Sequence, residues 1–202
     1  MPPPQLPVRP EELEFFAEEE LIQIVPNCSV PNKYIEGILD RYGPFEPNRV
    51  IEVPTWLALQ LHKRNKARIL LPAWLTSDSL DEAIERERGS PDSFSAQPYH
   101  YMELACLLLE HAKDAFTGSD DYFKVRNKLA QLVNVRRHKM EEGLRQISGT
   151  ATVRVNGLGG YELNLIRNNF QGALDMFLKL EAVEAAVSAP PVSATGTFSS
   201  MS

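Results

Sequence analysis

The chain has 202 residues, of which 43% are hydrophobic and 24% are charged, and its formal net charge is −6. This composition is typical of a globular protein, and the length allows one large domain or two small ones. The negative charge argues against a dedicated nucleic-acid-binding protein, because such proteins need dense local cations to displace counterions. The acidity is concentrated in residues 1–52, which hold ten acidic and four basic side chains.

The two cysteines, Cys28 and Cys106, are far apart in the sequence and lie in apolar surroundings. They match neither a disulfide framework nor a metal-ligand spacing, which favours a reducing compartment. The opening residues MPPPQLPVRP lack the charged and apolar regions of a secretory signal. No apolar run approaches the roughly 18 residues of a membrane span, so we expect neither a signal nor a span.

Short elements predict a small β-rich domain over residues 11–61, after a flexible Pro-rich lead-in at 1–10. A short helix is expected from Pro10, with acidic residues in its first turn and Leu13, Phe16 and Ala17 on one face. Strands are expected at 21–25, 33–39 and 49–53, with turn material at 40–47. Because so few elements bury little core alone, this domain is expected to pack on the rest of the chain or on another protein.

Residues 50–75 form the junction between two kinds of structure. The stretch begins with a strand-like pattern that ends at Pro54. From Trp56 onward, the apolar residues have the spacing of a short buried helix. A purely cationic turn follows, before a second tryptophan at Trp74; it contains Lys63, Arg64, Lys66 and Arg68. The pattern fits a domain junction packed from both sides, but taken alone it favours an ordinary core helix followed by a solvated charged turn.

A helical domain is predicted over residues 62–187, followed by a disordered tail at 188–202. Its helices are expected at 77–88, 98–116, 119–147 and 161–187. Ser77 or Asp78 is expected to cap the first of them, and Ser79 and Glu82 have the spacing of a capping box. A polar, Gly-rich linker is expected at 148–160. The predicted fold class is therefore α+β, mainly α, with a small N-terminal β-rich domain followed by a helical bundle.

Apolar residues cover more of helix 98–116 than one neighbouring helix would bury. Tyr101, Leu104 and Leu108 form a stripe, and Met102 and Leu109 widen it. The stripe of helix 119–147 contains Leu132 and also Arg136, which stands among apolar positions. A guanidinium there must be paired or reach an interface, because an unpaired buried charge costs several kcal/mol.

Three interpretations of Arg136 stay open at this point. It pairs with Glu103 or Glu110 of the preceding helix, it meets an acidic residue of another chain, or it snorkels to solvent at the end of the stripe.

The sequence has no constellation typical of catalysis or metal binding. The histidines His62, His100, His111 and His138 show none of the usual ligand spacings. The segment 157–160 has the strand-glycine-helix order of a dinucleotide-binding turn, but Glu162 would repel a phosphate there. A linker is the better interpretation, and no cofactor is expected.

Basic residues are concentrated in two patches, at 63–68 and at 124–145. Either patch would contact phosphates in a nucleic-acid-binding adaptor, which is the alternative function. Neither patch has the interleaved aromatic residues that stack on bases, so ion pairing within the protein is favoured.

Three segments resemble the Psf-two subunits of the GINS complex of eukaryotic DNA replication: EFFAEEELIQIVPN, GPFEPNRVIEVPTWLALQLHKRNKARILLPAWL and PYHYMELACLLLEHA. The resemblance runs from about residue 12 to residue 180. Arg136 and Lys139 fall where the long helix of that family carries an arginine and a lysine. The 157–160 segment, the Pro-rich start and the tail depart from the family pattern.

The resemblance implies a non-catalytic subunit that acts in the nucleus. Its partners would be three sister GINS subunits in a heterotetramer, and beyond them the MCM helicase ring with its Cdc-forty-five partner. Subunit-interface residues are then expected at Tyr101, Met102, Leu104, Leu108, Leu109, Leu132, Arg136, Phe170 and Phe177. Residues facing the helicase or a nucleic acid are expected at Lys63, Arg64, Lys66 and Arg68.

Overall fold

The structure is a computed structural model that describes residues 8–27, 34–37, 40–90, 93–146 and 156–167, together with residues 172, 176 and 179. The predicted tail at 188–202 and most of the predicted lead-in lie outside the described residues. The same holds for Phe170 and Phe177, two of the predicted interface residues.

Helix α1 (Pro10–Ala17) begins at a proline and carries Glu11 and Glu12 in its first turn, as predicted. The Arg9 N–H donates to Glu12 Oε2 at 3.1 Å and so satisfies a donor at the helix start. The buried residues of α1 are Leu13 and Ala17. Phe16 was expected on the same face but is exposed, because only a narrow stripe of this short helix contacts helix α4 (Tyr101–His111).

The strands are short: β1 (Leu21–Pro26), β2 (Ile35–Glu36), β3 (Arg41–Tyr42), β4 (Ile51–Pro54) and β5 (Ala67–Ile69). An antiparallel sheet has the order β4-β1-β5, and Ile24 of β1 pairs with Ile51 on one side and Ile69 on the other. Burial alternates along β1, where Ile22 and Ile24 are buried. One face of this strand therefore lies on the core.

Two segments that were expected to be turns contain strands. Residues 41–42 pair with β2 as a small antiparallel ladder, although 40–47 was predicted as turn material. The Tyr42 ring packs edge-on against Trp56 at 5.9 Å between ring centroids, which gives this segment an apolar anchor. Residues 67–69 form β5, so the sheet includes residues beyond the predicted domain boundary at 61. The division of the chain into domains stays a prediction.

Helix α2 (Thr55–Lys63) starts directly after β4 and has no side-chain cap. The backbone N–H groups of Thr55 and Trp56 donate to the Glu20 and Glu18 carbonyls at 2.9 and 3.0 Å. The turn between α1 and β1 therefore supplies the acceptors that a cap would give. This contact fixes α2 against the N-terminal elements.

The remaining helices are α3 (Ser77–Gly89), α4, α5 (Tyr122–Gln146) and a helical segment, α6, over residues 160–167. Thr76 caps α3 by accepting from the Ser79 N–H at 3.4 Å, so the predicted caps at Ser77 and Asp78 were one or two residues late. The prediction for α4 was too long, because the backbone leaves helical geometry at Ala112 and continues as a 3₁₀ turn at Lys113–Ala115.

Sheet and helices share one hydrophobic core. Ile24, Val53 and Ile69 of the sheet belong to the same buried cluster as Leu108 of α4 and Leu132 of α5. Both tryptophans of the junction, Trp56 and Trp74, pack partly buried against it. The N-terminal elements therefore complete their core on the rest of the chain.

A second, smaller cluster closes the far end of α5. Met140 is buried there with Leu158 and Ile166, and Phe94 packs against them. The described fold is α+β and mainly helical, with the strands in the N-terminal part, as predicted.

Candidate interaction site and a buried ionic network

Arg136 is the largest fully buried side chain among the described residues, and its exposed fraction is 0%. Its Nε donates to Glu162 Oε1 at 2.7 Å, and its Nη2 donates to Glu162 Oε2 at 2.8 Å. Its Nη1 donates to Glu87 Oε1. Arg136 is therefore paired with acidic residues of its own chain, as one of the three interpretations expected, but the predicted partners Glu103 and Glu110 were wrong.

Glu87 of α3 is enclosed by donors on every side. Ser95 donates its N–H and its hydroxyl to Glu87 Oε1 at 2.9 and 2.7 Å. Lys139 donates to Glu87 Oε2 and also reaches the Ser90 and Ser93 carbonyls at 2.8 and 2.9 Å. The long helix α5 thereby holds the loop that follows α3.

Glu162 joins the glycine-rich segment to the same network. It accepts from the Tyr101 hydroxyl at 2.7 Å and from the Gly159 N–H at 2.9 Å. Arg136 Nη2 also donates to the Gly157 carbonyl at 2.6 Å. The backbone N–H that would cradle a phosphate in a dinucleotide site is thus already bonded to a carboxylate.

The glycines of this segment allow close packing that other residues would prevent. Gly157 has a positive φ of 79°, and a Cβ there would lie 2.9 Å from the Phe94 carbonyl oxygen. A Cβ on Gly159 would lie 2.9 Å from the Tyr99 carbonyl oxygen. Residues 157–160 are therefore packed parts of the fold, and the prediction of a linker was wrong for them.

The charges of the network compensate one another. Burial raises the pKa of Glu87, but hydrogen bonds from Lys139 and Ser95 and the charge of Arg136 lower it more, so the pKa lies below its usual value. Burial lowers the pKa of Arg136, and Glu162 outweighs that effect and raises it. Two cations thus face two carboxylates with their hydrogen bonds made, which is the condition for a tolerated buried ion network.

Most of the predicted subunit-interface residues lie in the core of this chain. The buried ones are Tyr101, Leu104, Leu108, Leu109, Leu132 and Arg136. Met102 is partly buried against the same core. The breadth of the apolar stripe on α4 is therefore explained by the elements of the same chain that surround the helix, and the inference of excess apolar surface there was a misinterpretation of core residues.

The first basic patch lies on the surface of the chain. Lys63 and Arg64 lie at the end of α2, and Lys66 and Arg68 follow on the turn and on β5. Beside them, His62 Nε2 lies 3.0 Å from Asp114 Oδ1. This turn presents cations to solvent at the edge of the sheet.

The second basic patch is smaller than the sequence indicates. Four of its cations bond within the chain. Arg136 and Lys139 belong to the network, Lys128 bonds to Ser77 Oγ at 2.7 Å and to Asp81, and the exposed Arg145 bonds to Glu142 Oε2 at 3.5 Å. Those left exposed are Lys124, Arg126, Arg137 and Arg145. Much of the positive charge of 124–145 is thus neutralised by the fold.

Exposed aromatic residues are the surface feature that the sequence interpretation missed. Phe15 and Phe16 of α1 are 63% and 57% exposed, and Phe123 at the start of α5 is 66% exposed. The adjacent pair in α1 was the available signal, since a helix of this length cannot bury neighbouring positions on one narrow face. Within the described ranges there is no metal-ligand cluster, and none of the helices found there has the length and hydrophobicity of a membrane span.

Comparison with known proteins assigns both halves of the chain. The family model described as "PSF2 N-terminal domain" matches residues 9–70, and the one described as "GINS complex protein helical bundle domain" matches residues 74–181. A human protein named "DNA replication complex GINS protein PSF2" is 41% identical over 111 residues, which is 54% of this chain and 58% of that protein.

Two fungal relatives with the same name match over longer stretches. The Candida albicans protein is 35% identical over 162 residues, covering 78% of this chain and 75% of the relative. The Schizosaccharomyces pombe protein is 32% identical over 174 residues, covering 86% and 91%. The chain spans 58% of the length of the human relative, and nearly all of the fission yeast one. It belongs to the PSF2 (Psf-two) family of DNA replication complex GINS proteins.

Proposed function

We propose that this chain is a non-catalytic subunit of a heterotetrameric GINS complex, together with three sister subunits. In this role it supports the assembly and activity of the replicative helicase, with the MCM ring and its Cdc-forty-five partner, in the nucleus. The observation that carries the proposal is the pair of family matches, which extend over residues 9–70 and 74–181. The printed names of the relatives describe proteins of a DNA replication complex.

The surface of the chain supports a role in assembly. Large apolar side chains stand exposed at separate places on the helices, among them Phe123, Leu165 and Met176. Exposed aromatic and methionine side chains are enriched where proteins bind one another. Met102 of α4, which is only partly buried, stays among the proposed interface residues.

The internal ionic network supports a rigid scaffold. Its residues connect α3, α4, α5 and the segment 157–162, which are distant in sequence. All of its side chains are used in holding these elements together. The proposed work of the subunit is therefore to present surfaces in a fixed geometry.

The exposed basic turn favours a second candidate function, a nucleic-acid-binding adaptor. Lys63, Arg64 and Arg68 are exposed cations within six residues of each other. Four clustered cations would contact phosphates directly, and the affinity would depend steeply on salt. In the scaffold function the same turn faces an acidic surface of a helicase component.

Reversing Lys63, Arg64, Lys66 and Arg68 to glutamate separates the two functions. The scaffold function predicts that the complex still assembles, that it binds the MCM ring with Cdc-forty-five less tightly, and that DNA binding is unchanged. A matched control reverses Lys124 and Arg126, which are exposed on α5. Steeply salt-dependent DNA affinity that is lost only in the turn variant would instead establish the adaptor and refute the scaffold role of this turn.

A further inference from the structure

The outer face of α1 is an apolar surface that no described residue covers. Phe15 and Phe16 are 63% and 57% exposed, and their rings meet edge to face at 5.9 Å. Together with Val8 and Arg9 they line a concave surface at the start of the helix, which Glu11 and Glu12 complete. Since Leu13 and Ala17 bury the opposite face, the two rings contribute little to the core.

The rim of this surface is acidic and is not neutralised. The exposed glutamates of α1 and of the turn after it are Glu11, Glu12, Glu14, Glu19 and Glu20, and of these Glu11 and Glu12 line the concave surface itself. Among the described residues none of the five forms an ion pair, and Arg9 is the only cation between residues 8 and 27. A surface whose apolar centre is surrounded by charges of one sign favours a binding partner that carries charges of the opposite sign.

The size of the apolar centre indicates the class of interface. A phenylalanine side chain offers about 200 Å² of surface, so the two rings expose on the order of 250 Å² together. Obligate subunit interfaces bury about 2,000 Å² or more and are more hydrophobic, whereas a small aromatic centre with a polar rim fits non-obligate binding. The α1 surface fits a partner that joins an already folded complex.

We infer that the α1 surface is a docking site for a lysine- or arginine-rich amphipathic segment of a protein outside the four-subunit complex. An apolar side chain of that segment would pack on the Phe15–Phe16 pair, and its cations would face the glutamate rim. The inference rests on the proposed function, because it requires a complex that recruits further components. The acidic rim excludes DNA as the occupant, since phosphates would be repelled.

The test uses the heterotetramer reconstituted with the three sister subunits, and immobilised MCM ring with Cdc-forty-five as the probe. One variant carries Phe15→Ser and Phe16→Ser, and another carries Glu14→Lys and Glu19→Lys, which leave the first turn of α1 intact. The control carries Glu82→Lys and Glu85→Lys on the exposed face of α3. Binding is measured at low and at high salt, after the mass of each complex has been checked.

The expected result is that both α1 variants assemble normally and bind the probe at least about tenfold more weakly, as for hot-spot residues. The glutamate variant should also lose most of the salt dependence, while the control binds as wild type does. Binding of both α1 variants at wild-type strength would overturn this inference alone. Failure of the α1 variants to assemble would also overturn it, because the surface would then be a contact between sisters. A wild-type complex that does not bind the probe would refute the proposed function as well.

Discussion

Replacing Arg136 by alanine tests the ionic network most severely. The variant leaves Glu162 buried without its cation, although the Tyr101 hydroxyl and the Gly159 N–H still donate to it. Glu87 keeps Lys139 and Ser95 as donors. One carboxylate therefore loses its only cationic partner among the described residues.

The cost can be worked out from this geometry. Removing one partner of a buried ion pair destabilises a protein by about 3–5 kcal/mol. For a folded unit of this size, each kcal/mol lowers the melting temperature by roughly 2–4 °C, so the melting transition of this subunit should fall by roughly 6–20 °C. Because Arg136 also bonds to the Gly157 carbonyl, residues 157–163 should lose protection first.

The assay is thermal melting of the complex reconstituted with its sister subunits, together with hydrogen exchange of the amides in 157–163. Arg137→Ala is the matched control, since the neighbouring Arg137 is exposed and its loss should change stability by no more than about 0.5 kcal/mol. A double variant, Arg136→Met with Glu162→Gln, should recover part of the loss because no charge is left unpaired. If Arg136→Ala and Arg137→Ala had the same melting temperature, the assigned role of the network would be refuted.

Three further predictions concern pH and packing. Both carboxyl oxygens of Glu103 are buried, and this burial raises the pKa of Glu103 above 4.5. Glu103→Gln should therefore raise the melting temperature near neutral pH and lose this advantage as the pH falls towards 4.5. The pKa of Glu87 is lowered from 4.5, so its contribution is present above that pH and is lost in acid; the melting-temperature deficit of Glu87→Gln should therefore vanish at low pH. In circular-dichroism melts, Gly159→Ala should destabilise, while Gly143→Ala, with open space around it in α5, should stabilise by about 0.5–1 kcal/mol. Equal melting temperatures of the two glycine variants would contradict these assignments. So would a change in melting temperature of Glu103→Gln that does not depend on pH.

The sequence predicted the helices well because their apolar spacing is a local property. The stripe of α5 runs through Val125, Leu129 and Leu132, and all three are buried. The same pattern showed that Arg136 needed a partner. It did not show which one, because Glu87 and Glu162 are 49 and 26 residues away and meet Arg136 only through the tertiary fold.

The apolar breadth of α4 was misinterpreted for a related reason. Periodicity shows how much of a helix is apolar, but it does not distinguish burial within the chain from burial against a partner. Tyr101 is the clearest case, since its ring is enclosed by the fold and its hydroxyl bonds to Glu162.

The glycine-rich segment and α1 are two places where residue type alone did not show whether the residues are packed or exposed. Glycines at 157–160 are equally typical of a loop and of close packing, and only the approach of Tyr99 and Phe94 shows that packing requires them here. Phe16 was expected to be buried because it is apolar, yet α1 contacts its neighbours through a narrow stripe. Residue type alone does not set the width of such a stripe.

Mass measurement of the chain co-expressed with its three sister subunits tests the central claim most directly. The subunit function predicts one particle in native mass spectrometry with one copy of each chain, and it predicts that this chain expressed alone aggregates or is recovered poorly. A stable, monodisperse monomer that stays apart from the other three chains when all four are expressed together would contradict it.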